Sequence, residues 1–240
     1  MKVLIAIETC NGQRTTHQQI RDTWLKDCPV DHVFFSGQNG RHPSDIAGQY
    51  VQHPSSKDVP IEKDEVFLDF PDVDYLPGQL VNLLWKMDVL EHEWALERNY
   101  DFIFHAHNDT YVCVPRLLTS GFEKHDWSGN PWEKHSMSCP MINGASGVWF
   151  SRKAMEFLVK VVRANPDLYL DMQATAEDWR VARYLDGHIS RWGDVRYSVR
   201  EWPRPDNDVI TFHHLLGGMK SLRIIEELMA VHEIAKEIHD

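Results

Sequence analysis

The sequence predicts an α/β fold, and three observations predict it. Short apolar runs rich in β-branched residues alternate with longer stretches of helical periodicity. Neither an internal repeat nor a low-complexity segment interrupts that alternation. The 240 residues, 42% hydrophobic and 25% charged, suit one large globular domain with its own core.

Residues 3–7 (VLIAI) read as a buried first strand. Asn11 and Gly12 signal a turn, and residues 16–26 follow as a helix that ends near Pro29. Residues 32–36 are a second strand closed by Gly37, and residues 65–69 a third. Between them, residues 37–64 carry Gly, Pro, Ser and Asn without periodicity and read as a surface excursion. Residues 79–98 are strongly helical, with Leu80, Leu83, Leu84, Met87, Leu90, Trp94 and Leu96 spaced for one face. Residues 101–105 (DFIFH) form a buried strand, and a short helix starts at Pro115. Residues 126–147, rich in Trp, Gly, Pro and Asn, read as loop, followed by a strand over 148–150 and a helix over 152–164. A helix over 177–185 and a strand within 206–215 complete the domain, taken as residues 1–217. Residues 218–240 form an amphipathic helix, with Leu222, Ile225, Leu228, Met229, His232 and Ile238 on one side. That face suits packing on the domain or pairing with a second copy in a homodimer.

A formal net charge of −11 gives no broad attraction to nucleic acid or to an anionic membrane. Cys10, Cys28, Cys113 and Cys139 show neither a CxxC pair nor regular spacing, so no zinc knuckle or disulfide framework is indicated. The first apolar run is too short for a membrane anchor, and no later segment is long enough to span a bilayer. The expected setting is a reducing cytoplasm.

The chemistry concentrates in residues 105–112 (HAHNDTYV), where two imidazoles and a carboxylate follow a buried strand. Open α/β sheets bind ligands at the carboxyl ends of their strands. Two chemical readings compete there. His105, His107 and Asp109 match the HxHxD pattern with which metallo-β-lactamase-like hydrolases hold zinc. Thr110 stands where that superfamily carries a further histidine, and His125, His135 and His188 lack its strand-end contexts.

The second reading uses more of the chain. Residues 109–112 (DTYV) resemble the DDDTYV segment of the β-1,3-galactosyltransferase and Fringe-like glycosyltransferases. Arg14, Ile20, Arg21, Thr23 and Trp24 resemble that family's R…IRxTW signature. Residues 144–152 (GASGVWFSR) are similar to its GGAGYVLSR segment. Glu177, Asp178 and Trp179 stand where the family has EDV, and residues 211–213 (TFH) resemble the segment of its terminal metal-binding histidine. The resemblance covers residues 1–215 in order.

The resemblance implies a GT-A fold, Rossmann-like, with a mixed and mainly parallel sheet flanked by helices. It implies inverting, metal-dependent transfer from a nucleoside diphosphate sugar, a UDP-sugar in first place, to an acceptor hydroxyl. On that reading Asp109 and His213 hold Mn²⁺ or Mg²⁺ across the diphosphate, whose negative charge the cation neutralises. Asp178 is the base that deprotonates the acceptor, with Glu177 beside it. Arg14 and Arg21 suit donor phosphate or a helix ion pair equally well. Gly144 and Ala145 let backbone approach the donor. Trp127, Trp132 and Trp179 offer faces to a sugar or base, or anchor their segments as buried indoles. Only the last of the family's three acids is kept; His107 and Asn108 stand at the positions that orient donor sugar and ribose.

Animal members of the family lie in the Golgi behind an anchor, so a chain without one suggests a viral, phage or bacterial relative, working in the host cytoplasm if viral. The acceptor classes are a glycan, a small molecule or, at lower rank, a modified DNA base. A degenerate domain that binds sugar without turnover is the non-enzymatic alternative.

Overall fold

The computed structural model describes residues 1–9, 14–38, 60–71, 85–132, 141–165, 177–198, 201, 203–213 and 229–235. Most of the expected excursion over 37–64, the start of the helix expected from 79, and both ends of the C-terminal helix lie outside these residues.

The elements are β1 (Val3–Glu8), α1 (Arg14–Asp22), β2 (Asp31–Gln38), β3 (Glu65–Pro71), α2 (Trp85–Glu97) and β4 (Phe102–His107). There follow β5 (Tyr111–Val112), α3 (Val114–Leu118), β6 (Trp127–Trp132), β7 (Met141–Ser151) and α4 (Arg152–Ala164). The last are α5 (Glu177–Leu185), β8 (Arg191–Gly193), β9 (Tyr197–Ser198), β10 (Thr211–Phe212) and a helix, α6, over residues 229–235.

A seven-stranded sheet runs in the order β3-β2-β1-β4-β7-β6-β8. β3, β2, β1 and β4 are parallel, and β7 is antiparallel to both β4 and β6. The sheet is therefore mixed and mainly parallel, flanked by helices. A small second sheet, β5-β10-β9, lies beside it.

Strand period divides the core. In β1, Leu4 and Ala6 join one apolar cluster while Val3, Ile5 and Ile7 join another. The first cluster is covered by α2, α4 and α5, through Val89, Ala95, Met155, Leu158, Val162 and Val181. The second is covered by Ile20 and Trp24, by the small sheet, and by Val231 and Ala235 of α6. Residues at i, i+3 and i+7 give α4 its apolar stripe, and the Ser151 hydroxyl caps it by accepting from the Ala154 N–H at 3.2 Å.

Two expectations are corrected. Residues 127–132 are a strand and not loop, because β6 finds a ladder partner on each side, in β7 and β8. The strand expected over 148–150 is the end of an eleven-residue strand, β7. Polar and glycine residues in its first half conceal it from a periodicity reading.

Candidate active site

The chain turns from β1 to β2 on one side, and β4 then adds on the other. The carboxyl ends of β1 and β4 are thus the topological switch point, where such sheets leave a crevice. The parallel register places Glu8 beside His107 and Ala6 beside His105. Paired residues share a sheet face, so Glu8, His105 and His107 point the same way. Nε2 of His105 lies 3.4 Å from Oε2 of Glu8, and Nε2 of His107 lies 3.7 Å from the same oxygen. Behind them, Nδ1 of His105 meets Oε2 of the fully buried Glu91 at 3.0 Å. A carboxylate only accepts, so Nδ1 carries the hydrogen and Nε2 faces Glu8.

The next residues leave the strand and enter a second grouping. The Asn108 amide nitrogen donates to Oγ1 of Thr9 at 3.1 Å, and its backbone N–H donates to the Glu8 carbonyl. Asn108 therefore ties β4 to β1. Oδ1 of Asp109 lies 3.3 Å from Nδ1 of His213, both residues being buried. The small sheet delivers His213: Thr211 donates to the Ser146 carbonyl at 2.6 Å, and Thr110 donates to the Ala145 carbonyl at 2.8 Å. Thr110 Oγ1 also stands 3.2 Å from His213 Nδ1. Burial drives the Asp109 carboxyl up, yet the hydrogen bond and charge of His213, with His107 behind, outweigh it and hold Asp109 below the usual carboxylate range. The rings of His107 and His213 are 6.2 Å apart, so His107 stands between the two groupings.

Asp178, at the start of α5, approaches from the other side. Its Oδ1 accepts the Gly144 N–H at 2.9 Å. Asp178 and His105 line one cavity, with Trp127, Gly144, Phe150 and Val181. Trp127 is a buried wall of that cavity and not a loop platform. Trp132 is half-buried and packs against the core. The side chains of Glu177 and Trp179 lie outside the described residues.

Arg14 and Arg21 are engaged elsewhere. Arg14 Nε donates to Glu65 at 2.9 Å, and Arg21 makes two bonds to Asp64, at 2.9 and 2.7 Å, and one to Glu65 at 3.0 Å. Of the two readings open to them, the structure displays the ion pair. The three residues of the HxHxD pattern do not form one set either. Among the described residues, the ligand atoms that lie within 4.8 Å of one another belong to Glu8, His105 and His107, while Asp109 turns to His213.

Glu8, Glu91 and Arg180 escaped the sequence reading. Glu8 ends an otherwise apolar strand, and Glu91 and His92 occupy the buried stripe of α2 with Val89 and Ala95. An acid at a strand's carboxyl end and polar residues in a core stripe were both visible signals.

No family model matches the sequence, and no curated protein matches it. Solved structures do. A glycosyltransferase involved in the glycosylation of the major capsid of PBCV-1 superimposes with a TM-score of 0.51 and 12% identity, over 96% of this chain and 100% of that one. The fold is GT-A-like. Also similar are the galactosyltransferase LgtC (TM-score 0.44, 9% identity, 96% of each chain) and GlyE of Streptococcus pneumoniae TIGR4 (0.48, 10%, 98% of this chain and 63% of that one). In the GT-A-like fold of this chain, the crevice described above lies at the carboxyl ends of β1 and β4. No helix among the described residues is long and apolar enough to cross a membrane.

Proposed function

We propose that this chain is an inverting, metal-dependent glycosyltransferase that moves a sugar from a UDP-sugar to an acceptor hydroxyl. The observation that carries the reading is convergence. Asp109 and His213, far apart in sequence, meet at 3.3 Å beside the switch point, while Asp178 lines a cavity with His105. The donor set fits a divalent cation: a buried carboxylate and an imidazole stand together, with Asp109 Oδ1 3.3 Å from His213 Nδ1. A cation held there, Mn²⁺ or Mg²⁺, supplies neutralisation of the departing diphosphate.

The chain's own residues do the rest. The Gly144 N–H fixes one oxygen of Asp178, which orients the carboxylate to take the proton of the attacking hydroxyl. His213, with His107 behind it, holds Asp109 in its ionised form. On this proposal His107, Asn108, Gly144 and Ala145 border the donor. In this reading the acceptor is a glycan or small molecule, with a modified DNA base ranked below them, and the setting is cytoplasmic. The domain is residues 1–217, with residues 218–240 packing on it or joining two copies.

The reading is tested by a melting screen of nucleotide-sugars with and without Mn²⁺, followed by assay of UDP release. A UDP-sugar should raise the melting point only with the cation, and Asp178→Asn should cut turnover by about 100-fold or more with binding retained. Release of UDP at the wild-type rate by Asp178→Asn would remove the base from Asp178. Absence of any UDP-sugar binding would leave a domain of other function.

A further inference from the structure

We propose that Glu8, His105 and His107 form a binding site for a first-row transition-metal ion, with Glu91 as the residue that positions His105. The site goes beyond the transfer reading, since its ligands are not Asp109 and His213 and it stands whether or not a sugar is moved.

Three features of the structure carry it. The first is spacing. Two ligands that each lie about 2.1 Å from a metal at the tetrahedral angle are about 3.4 Å apart. His105 Nε2 and His107 Nε2 lie 3.4 and 3.7 Å from Glu8 Oε2. The three ligating atoms fall within 4.8 Å of one another.

The second feature is the tautomer. Glu91 Oε2 takes the Nδ1 hydrogen of His105, which turns the Nε2 lone pair toward Glu8. A metal ion bound to Nε2 would take the place of a proton there and face the Glu8 carboxylate with positive charge. A buried carboxylate behind a ligating imidazole is also how proteins fix ring orientation and raise ligand basicity at metal sites. Glu91 is fully buried on α2, and its position has no other described use.

The third feature is rigidity. Glu8 and His107 are directly paired in the β1–β4 ladder, so two of the three ligands ride on one hydrogen-bonded register. Asn108 ties the same strand ends through Thr9. Two imidazoles and one carboxylate favour Zn²⁺, Co²⁺ or Mn²⁺ over Mg²⁺ and Ca²⁺, which select oxygen ligands.

The probe is Co²⁺, added to the full chain after chelator treatment and followed by its visible absorption and by X-ray absorption at the metal edge. Wild type should bind a tight equivalent with two imidazoles in its coordination shell, which Zn²⁺ should displace while millimolar Mg²⁺ should not. Glu8→Gln and His107→Ala should abolish that two-imidazole equivalent, and Glu91→Gln should weaken it by about 10–100-fold. Asp109→Asn and His213→Gln should leave the cobalt spectrum in place. The reverse pattern, loss with Asp109→Asn and retention with Glu8→Gln, overturns the proposal and puts the ion at Asp109 and His213. A wild-type shell with fewer than two imidazoles overturns it without any variant, so a misfolded mutant decides nothing by itself.

Discussion

A guanidinium taken out of water loses hydration that only partners can replace. Arg180 is 1% exposed, and none of its three nitrogens has a hydrogen-bond partner among the described residues. Burial accordingly pushes its pKa below the ordinary arginine value. Arg180→Met keeps the length of the side chain and removes the charge, and it should stabilise the protein by about 1 kcal/mol or more. A urea midpoint that falls instead would show that the charge is compensated. Gly147 makes the opposite case. It sits at φ +92°, and a Cβ there would come within 2.3 Å of the Phe104 ring. Gly147→Ala should cost about 2–4 kcal/mol, from left-handed backbone strain together with overpacking. The glycine makes room for Phe104. Its neighbour Gly144 is the one that touches a site residue, and nothing in the string GASG separates the two roles. Glu8 was legible as a polar end to an apolar strand, but its company depends on the register with His107, which local sequence does not encode.

Among the elements, α1 is fastened to the β3 edge by charge. Arg14 and Arg21 bind Asp64 and Glu65, and His32 adds its ring to Asp64 at 3.6 Å. Hydrogen bonds to Asp64 and Cys28, against the opposing effect of burial, raise His32 from 6.5 to about 9. A raised histidine favours its charged form in the folded state, so its stabilisation is complete below pH 6.5 and lost as pH climbs to about 9. The melting point should therefore decline across that interval, and His32→Gln should flatten the decline. Asp64 and Glu65 act at the other extreme. Both carboxyls are depressed by their basic partners despite burial, so their contribution is present at neutral pH and fades in acid. The ranges of α4 and α5 followed from helical spacing alone. β7 did not, because its first half carries Asn, Gly and Ser, and the backbone groups of Gly144, Ala145 and Ser146 are satisfied by Asp178, Thr110 and Thr211 from distant segments. Tertiary bonds made that strand.

For the whole molecule, the alternation of strands and helices was enough to reach the α/β class, while the switch point needed the strand order. The strand expected within 206–215 is β10, which delivers His213, but the small sheet it joins was not readable, since β5 and β9 are two residues each. Net charge is a property of this scale too. At −11, the chain should show no measurable binding to random duplex DNA at physiological salt in a gel-shift titration to micromolar protein. Tight, salt-sensitive binding would instead promote the nucleobase acceptor to first rank.

The pairing of Glu8 with His107 joins strands that lie about a hundred residues apart in the chain. Contacts of such separation form late, after the loop between them has closed. An ion that needs both strands would thus be captured only by chains that have finished this step, and none would be held by the unfolded ensemble. During refolding in cobalt, visible absorbance should rise with the last kinetic phase and not with early helix formation. The ladder would then serve as a clock, and metal uptake as the mark that assembly is complete.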